Sequence, residues 1–150
     1  LERAKPNIEA ELTDEVFHQR KNAIESSVRA LADVLRRAQP DVMVVVGDDQ
    51  HEQFLDDNMP AFCVYRGGSI AVAPRSSRGR HRAWSSAEEW AITDGLKTYP
   101  AASELAEHLI KSLVDQGFDP ACSSRLKPDV GIGHAFSFIY RRIIKKVPQE

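Results

Sequence analysis

The sequence predicts an α/β fold: a mixed or mostly parallel sheet with helices on both faces, in three layers. Three observations predict it. A stripe of helical period fills residues 13–40, and the β-branched run "DVMVVVG" (Asp41–Gly47) follows it at once. A second amphipathic stretch, residues 102–116, then stands between further strand-like runs.

The first helix carries its own start and stop. Thr13 is an N-cap, and Asp14 and Glu15 place negative charge at the positive end of the helix dipole. Phe17, Ile24, Val28, Leu31 and Leu35 form one apolar stripe. Arg36 and Arg37 suit the opposite end, and Pro40 stops the helix. "DVMVVVG" is apolar at every position from Val42 to Val46, as expected of a central strand covered on both sides. "AFCVYRG" (Ala61–Gly67) and "SIAVAP" (Ser69–Pro74) read as two more strands, joined as a hairpin by Gly67 and Gly68. Residues 75–100 read as a long polar segment in which "SSAEEWA" makes a helical turn. The second helix aligns Leu105, Leu109 and Leu113, with Ala106 and Ile110 beside them, and Gly117 ends it. "FDPACSS" reads as a short strand weakened by Pro120, and "HAFSFIYRRIIKK" as a short final helix.

Composition narrows the function. With 150 residues and 42% hydrophobic content, the chain is long enough for one α/β domain. Its opening on Leu1 and its close on "KKVPQE" suggest an incomplete portion of a larger domain. A net charge of −2 argues against a nucleic-acid footprint, and "RSSRGRHR" (Arg75–Arg82) lacks interleaved aromatics. No apolar run approaches the roughly 20 residues that span a bilayer. Cys63 and Cys122 fit no metal spacing or disulfide framework, which makes a reducing cytoplasm the expected location.

Two polar clusters carry the chemistry. "GDDQHEQF" (Gly47–Phe54) follows the predicted central strand, at the strand end where α/β folds place ligands. Gly47 lets the backbone turn or approach a ligand. His51 offers an imidazole nitrogen, with acids around it that bind metal, orient the ring or accept protons. The plainer alternative is a hydrated turn. In "GIGHAFSF" (Gly131–Phe138), His134 follows two glycines and opens a helix, where free N–H groups favour an anionic ligand. A histidine so placed serves as general acid or base, or simply satisfies backbone. His18 and His108 read as surface residues, His81 as part of the basic loop, and the cysteines as small buried hydrophobes.

"AELTDEVFHQR", "PDVMVVVGDDQHEQFLDDNMPAFCVYRG" and "GIGHAFSFIYRR", in that order, resemble the class III extradiol ring-cleavage dioxygenases, the group that includes the catalytic subunit of protocatechuate 4,5-dioxygenase. The resemblance covers nearly the whole chain. It implies a non-haem Fe(II) held by two histidines and a glutamate, with an aromatic diol and O2 as substrates. By this resemblance His51 is an iron ligand and His134 the catalytic histidine beside the substrate; the closeness of Asp49 and Glu52 to His51 in sequence, rather than the resemblance, makes them candidates to support the ligand. An alignment on Phe54 instead puts Gln50 at the ligand position. The remaining iron ligands, on an N-terminal strand and in a C-terminal half, would lie outside these residues. Arg66, Arg75 and Arg78 are candidate partners for a substrate carboxylate, and a homo- or hetero-oligomer is compatible with the family. The alternatives are a non-catalytic subunit or degenerate homologue that keeps the fold for assembly or binding, and a hydrolase using a divalent metal.

Overall fold

A computed structural model of the chain describes residues 8–72, 96–127 and 131–144. The predicted helical turn "SSAEEWA", His81, Arg75 and Arg78 lie outside them. The chain divides into two compact units, residues 1–40 with 142–150, and residues 41–141.

In the first unit, a 3-10 turn (Ile8–Glu11) leads into helix α1, Asp14–Ala38. Thr13 caps it as expected, its hydroxyl accepting from the Val16 N–H at 3.3 Å. Gln39 ends it in the left-handed region, φ 40°, its N–H donating to the Leu35 carbonyl. Only Val28 and Ala32 are buried. Phe17, Ile24 and Leu31 of the predicted stripe stand largely exposed. Glu25 of α1 pairs with Arg142 in the same unit.

The described residues of the second unit hold four short strands: β1 (Cys63–Tyr65), β2 (Ser69–Val72), β3 (Lys97–Pro100) and β4 (Ala121–Ser123). β1 pairs with β4 in parallel and β2 with β3 antiparallel, so the described residues form a mixed α/β fold. Two two-stranded pairs do not display the expected three-layer arrangement. Helix α2, Ser103–Asp115, packs on β1. It closes with the Gly117 N–H on the Val114 carbonyl and the Phe118 N–H on that of Leu113, with Gly117 at φ +85°. That is a Schellman ending, in the place the glycine predicted. Helix α3, His134–Phe138, runs into a single π turn, Ile139–Ile143.

Two expectations are corrected. Gly67 and Gly68 do not join a hairpin, because β1 and β2 enter different sheets. Gly67 is buried instead, and a Cβ there would meet the Tyr65 hydroxyl at 2.2 Å and the Ser124 carbonyl at 2.8 Å. The glycine answers close packing around the Tyr65 hydroxyl, which donates to the Ser69 carbonyl at 2.6 Å. The run Val42–Val46 is not a buried strand either. It belongs to no sheet among the described residues, and Val44 and Val46 are 71% and 90% exposed. An apolar, β-branched run needs flanking strands before it can be central, and those residues supply none.

Candidate functional site

The two polar clusters meet in the second unit. Asp49 shapes the first, its two carboxylate oxygens accepting the Gln53 and Phe54 N–H groups, each at 2.8 Å. That pins residues 49–54 into a tight bend, as a short acidic side chain does where backbone donors would otherwise go unpaired. His51, at the apex, takes a left-handed backbone with φ 58°. The bend sends the next two side chains across to the second cluster.

Glu52 makes two contacts with His134. One carboxylate oxygen accepts the backbone N–H of His134 at 2.7 Å, and the other meets His134 Nδ1, also at 2.7 Å. The glutamate side chain is 5% exposed, whereas the imidazole is 42% exposed. Gln53 latches the loop beside it. Its amide donates to the Gly131 carbonyl at 2.5 Å, and its carbonyl accepts the Lys127 N–H at 3.0 Å. A Cβ on Gly133 would lie 2.3 Å from the Glu52 carboxylate, so this position must be glycine for the carboxylate to reach the helix start.

The scaffold beneath is well tied. The Ile132 N–H donates to the Ala71 carbonyl at 2.9 Å, and buried Arg141 donates to the carbonyl of fully buried Val72. The second cluster therefore hangs on the carboxyl end of β2. Gly47 allows close approach to protein rather than ligand, since a Cβ there would touch the Phe136 ring at 3.2 Å. Tyr140, in the π turn, packs against Tyr99 of β3 with ring centroids 4.8 Å apart and ring planes tilted by 45°. Burial, with Tyr99 beside it, pushes the Tyr140 phenol up from its ordinary range.

Of the four residues the sequence nominated, the structure brings Glu52 and His134 into direct contact, and Asp49 holds the bend that presents Glu52. The anion at the start of α3 is thus the chain's own carboxylate. His51 turns elsewhere: its Nε2 meets Asp56 at 2.8 Å, with the ring 58% and the aspartate 96% exposed. Gln50 is exposed. Among the described residues no group of three His, Cys, Asp or Glu side chains is placed to hold a metal. Arg66 pairs with Glu107 at 3.0 Å, beside a shallow groove that Ile110, Lys111 and Cys122 also line. Desolvation, with Cys122 nearby, pushes the Cys63 thiol up, which disfavours the thiolate a nucleophile needs. Sequence reasoning missed Gln53 and the spacing role of Gly133. A glycine directly before a singled-out histidine was the available signal.

Comparison with known proteins gives one informative match. The chain is similar to an aromatic-ring dioxygenase. A Comamonas testosteroni protein named 2,3-dihydroxyphenylpropionate/2,3-dihydroxicinnamic acid 1,2-dioxygenase is 29% identical over 123 residues, covering 79% of this chain and 31% of the relative. The chain thus spans about a third of that relative's length. No family model matches, and no solved structure does.

Proposed function

We propose that this chain is a portion of an extradiol ring-cleavage dioxygenase, which opens a catechol-type aromatic ring with O2. The relative's name supports the reading: cutting bond 1,2 of a 2,3-diol opens the ring beside the diol rather than between its hydroxyls. The observation that carries it is His134, gripped at Nδ1 and at its backbone N–H by a buried carboxylate while its ring stays partly accessible. Ring cleavage beside a diol requires a hydroxyl proton to leave and a proton to return later. A fixed imidazole at the start of a helix does both. In this reading His134 is the acid–base residue, Glu52 supports it, and Asp49 holds the bend that carries Glu52.

The metal of such an enzyme is Fe(II), and the described residues do not form its site by themselves. His51 is the proposed ligand from this chain. Its exposed pairing with Asp56 is a weak hold that does not commit the ring. The other ligands would come from outside these residues, as would the partners that turn Val42–Val46 into a central strand of one larger α/β domain. Arg66, already paired with Glu107, is a poor candidate for a substrate carboxylate.

The test is oxygen uptake by the full-length protein carrying this chain, with Fe(II) and 2,3-dihydroxyphenylpropionate or protocatechuate. Uptake that needs both metal and diol supports the reading, and His51→Ala should then abolish iron retention. Full iron and activity in His51→Ala would remove the ligand assignment. The absence of a three-donor cluster among the described residues favours one second reading, a non-catalytic relative that keeps the fold for assembly. A metal-loaded full-length protein with no uptake on any diol would support that reading instead.

A further inference from the structure

We infer that Glu52 is a positioning residue that sets the tautomer of His134, presenting Nε2 as its working nitrogen. The inference rests on the acid–base role proposed for His134. Both contacts are at 2.7 Å, and they come from the two oxygens of one carboxylate. The backbone contact fixes direction, since an amide N–H only donates and the oxygen it meets must accept. An ionised carboxylate offers acceptors alone, so the Nδ1 that faces its other oxygen carries the ring proton. In a neutral imidazole the lone pair then falls on Nε2, which has no hydrogen-bond partner among the described residues. The same two contacts fix where the ring sits, because one holds its backbone and the other its near edge.

Three features show that the geometry is built around this contact. Gly133 leaves the space through which the carboxylate reaches the helix start; a Cβ would stand 2.3 Å from its oxygen. Asp49 holds the bend from which Glu52 projects, through the Gln53 and Phe54 N–H groups. Gln53 spans the same gap in parallel, to the Gly131 carbonyl and the Lys127 N–H. A carboxylate that fixes an imidazole by its second nitrogen recurs where a histidine must keep one tautomer, and loss of such a partner beside a metal-ligating histidine typically costs about ten- to a hundredfold in activity.

The experiment is a long-range 1H–15N correlation spectrum of the 15N-labelled full-length protein. It is recorded before metal is added, at a pH where the ring is neutral, with His134 assigned by its absence in His134→Gln. The expected result is the Nδ1–H tautomer in wild type. Glu52→Gln, whose amide faces the ring with either a donor or an acceptor, should give a mixture or the opposite tautomer. In the Fe(II)-loaded enzyme the same substitution should lower kcat by about ten- to a hundredfold and leave KM within about threefold. A wild-type Nε2–H tautomer overturns the inference whether or not any variant folds. So does a folded Glu52→Gln that keeps the wild-type tautomer and rate. If the tautomer result holds but no diol supports oxygen uptake, the ring-cleavage reading fails and the positioning role stands. If uptake is present with the opposite tautomer, only the positioning role fails.

Discussion

Among the described residues, the second unit contains two imidazole–carboxylate pairs that distance alone does not distinguish. His134 meets Glu52 at 2.7 Å and His51 meets Asp56 at 2.8 Å. Their surroundings are opposite: the Glu52 side chain is 5% exposed and that of Asp56 is 96% exposed. Water competes for every hydrogen bond of the exposed pair, so its partners separate at little cost. The buried carboxylate has no such exchange available, and removing its partner leaves polar groups stranded. The first pair is fixed architecture; the second leaves His51 available to another ligand. The same chemistry at two carboxylates four residues apart, Glu52 and Asp56, thus serves stability and orientation in one place and availability in the other.

Substitutions can break this contrast, beginning with the largest effect. His134→Ala in the full-length protein should lower kcat by roughly a hundredfold to ten-thousandfold, the usual contribution of a positioned acid–base group, while the fold survives. Steady-state oxygen uptake checks the rate, and circular dichroism checks the fold. Gly133→Ala should come next. Its Cβ displaces the Glu52 carboxylate, with destabilisation of about 1–3 kcal/mol read from the denaturant midpoint, and the loss of rate expected of Glu52→Gln. Gln53→Ala removes the parallel latch and leaves the carbonyl of buried Gly131 without its amide donor, for a loss of about 1–2 kcal/mol by the same titration. Asp56→Asn should change stability by less than about 0.5 kcal/mol, because its side chain is almost wholly in water. If Asp56→Asn were as destabilising as Gln53→Ala, exposure would not be what separates the two pairs.

What the sequence made legible follows the range of the interactions involved. Thr13, Pro40 and Gly117 act on their own helices, within a few residues, so both ends of α1 and the end of α2 could be read from single positions. The two polar clusters were legible as sites because acids and histidines crowd around turn residues. Their internal pairing was not. His51 is the more conspicuous residue in its cluster, yet it is Glu52 that crosses 82 positions to His134, and only the bend held by Asp49 decides which side chain faces inward. Strand partners were hidden for the same reason. Gly67–Gly68 shows that the chain turns, but not that β1 will choose β4 and β2 will choose β3. Val42–Val46 is apolar enough for a core, but composition does not supply the strands that would cover it.

The most direct measurement compares oxygen consumption by the Fe(II)-loaded full-length protein and its His134→Ala variant, with 2,3-dihydroxyphenylpropionate as the diol. The account predicts uptake that depends on both metal and diol in the wild type, reduced at least about a hundredfold in the variant. Equal rates in the two proteins, or a wild type that consumes no oxygen with any catechol-type diol, would contradict it.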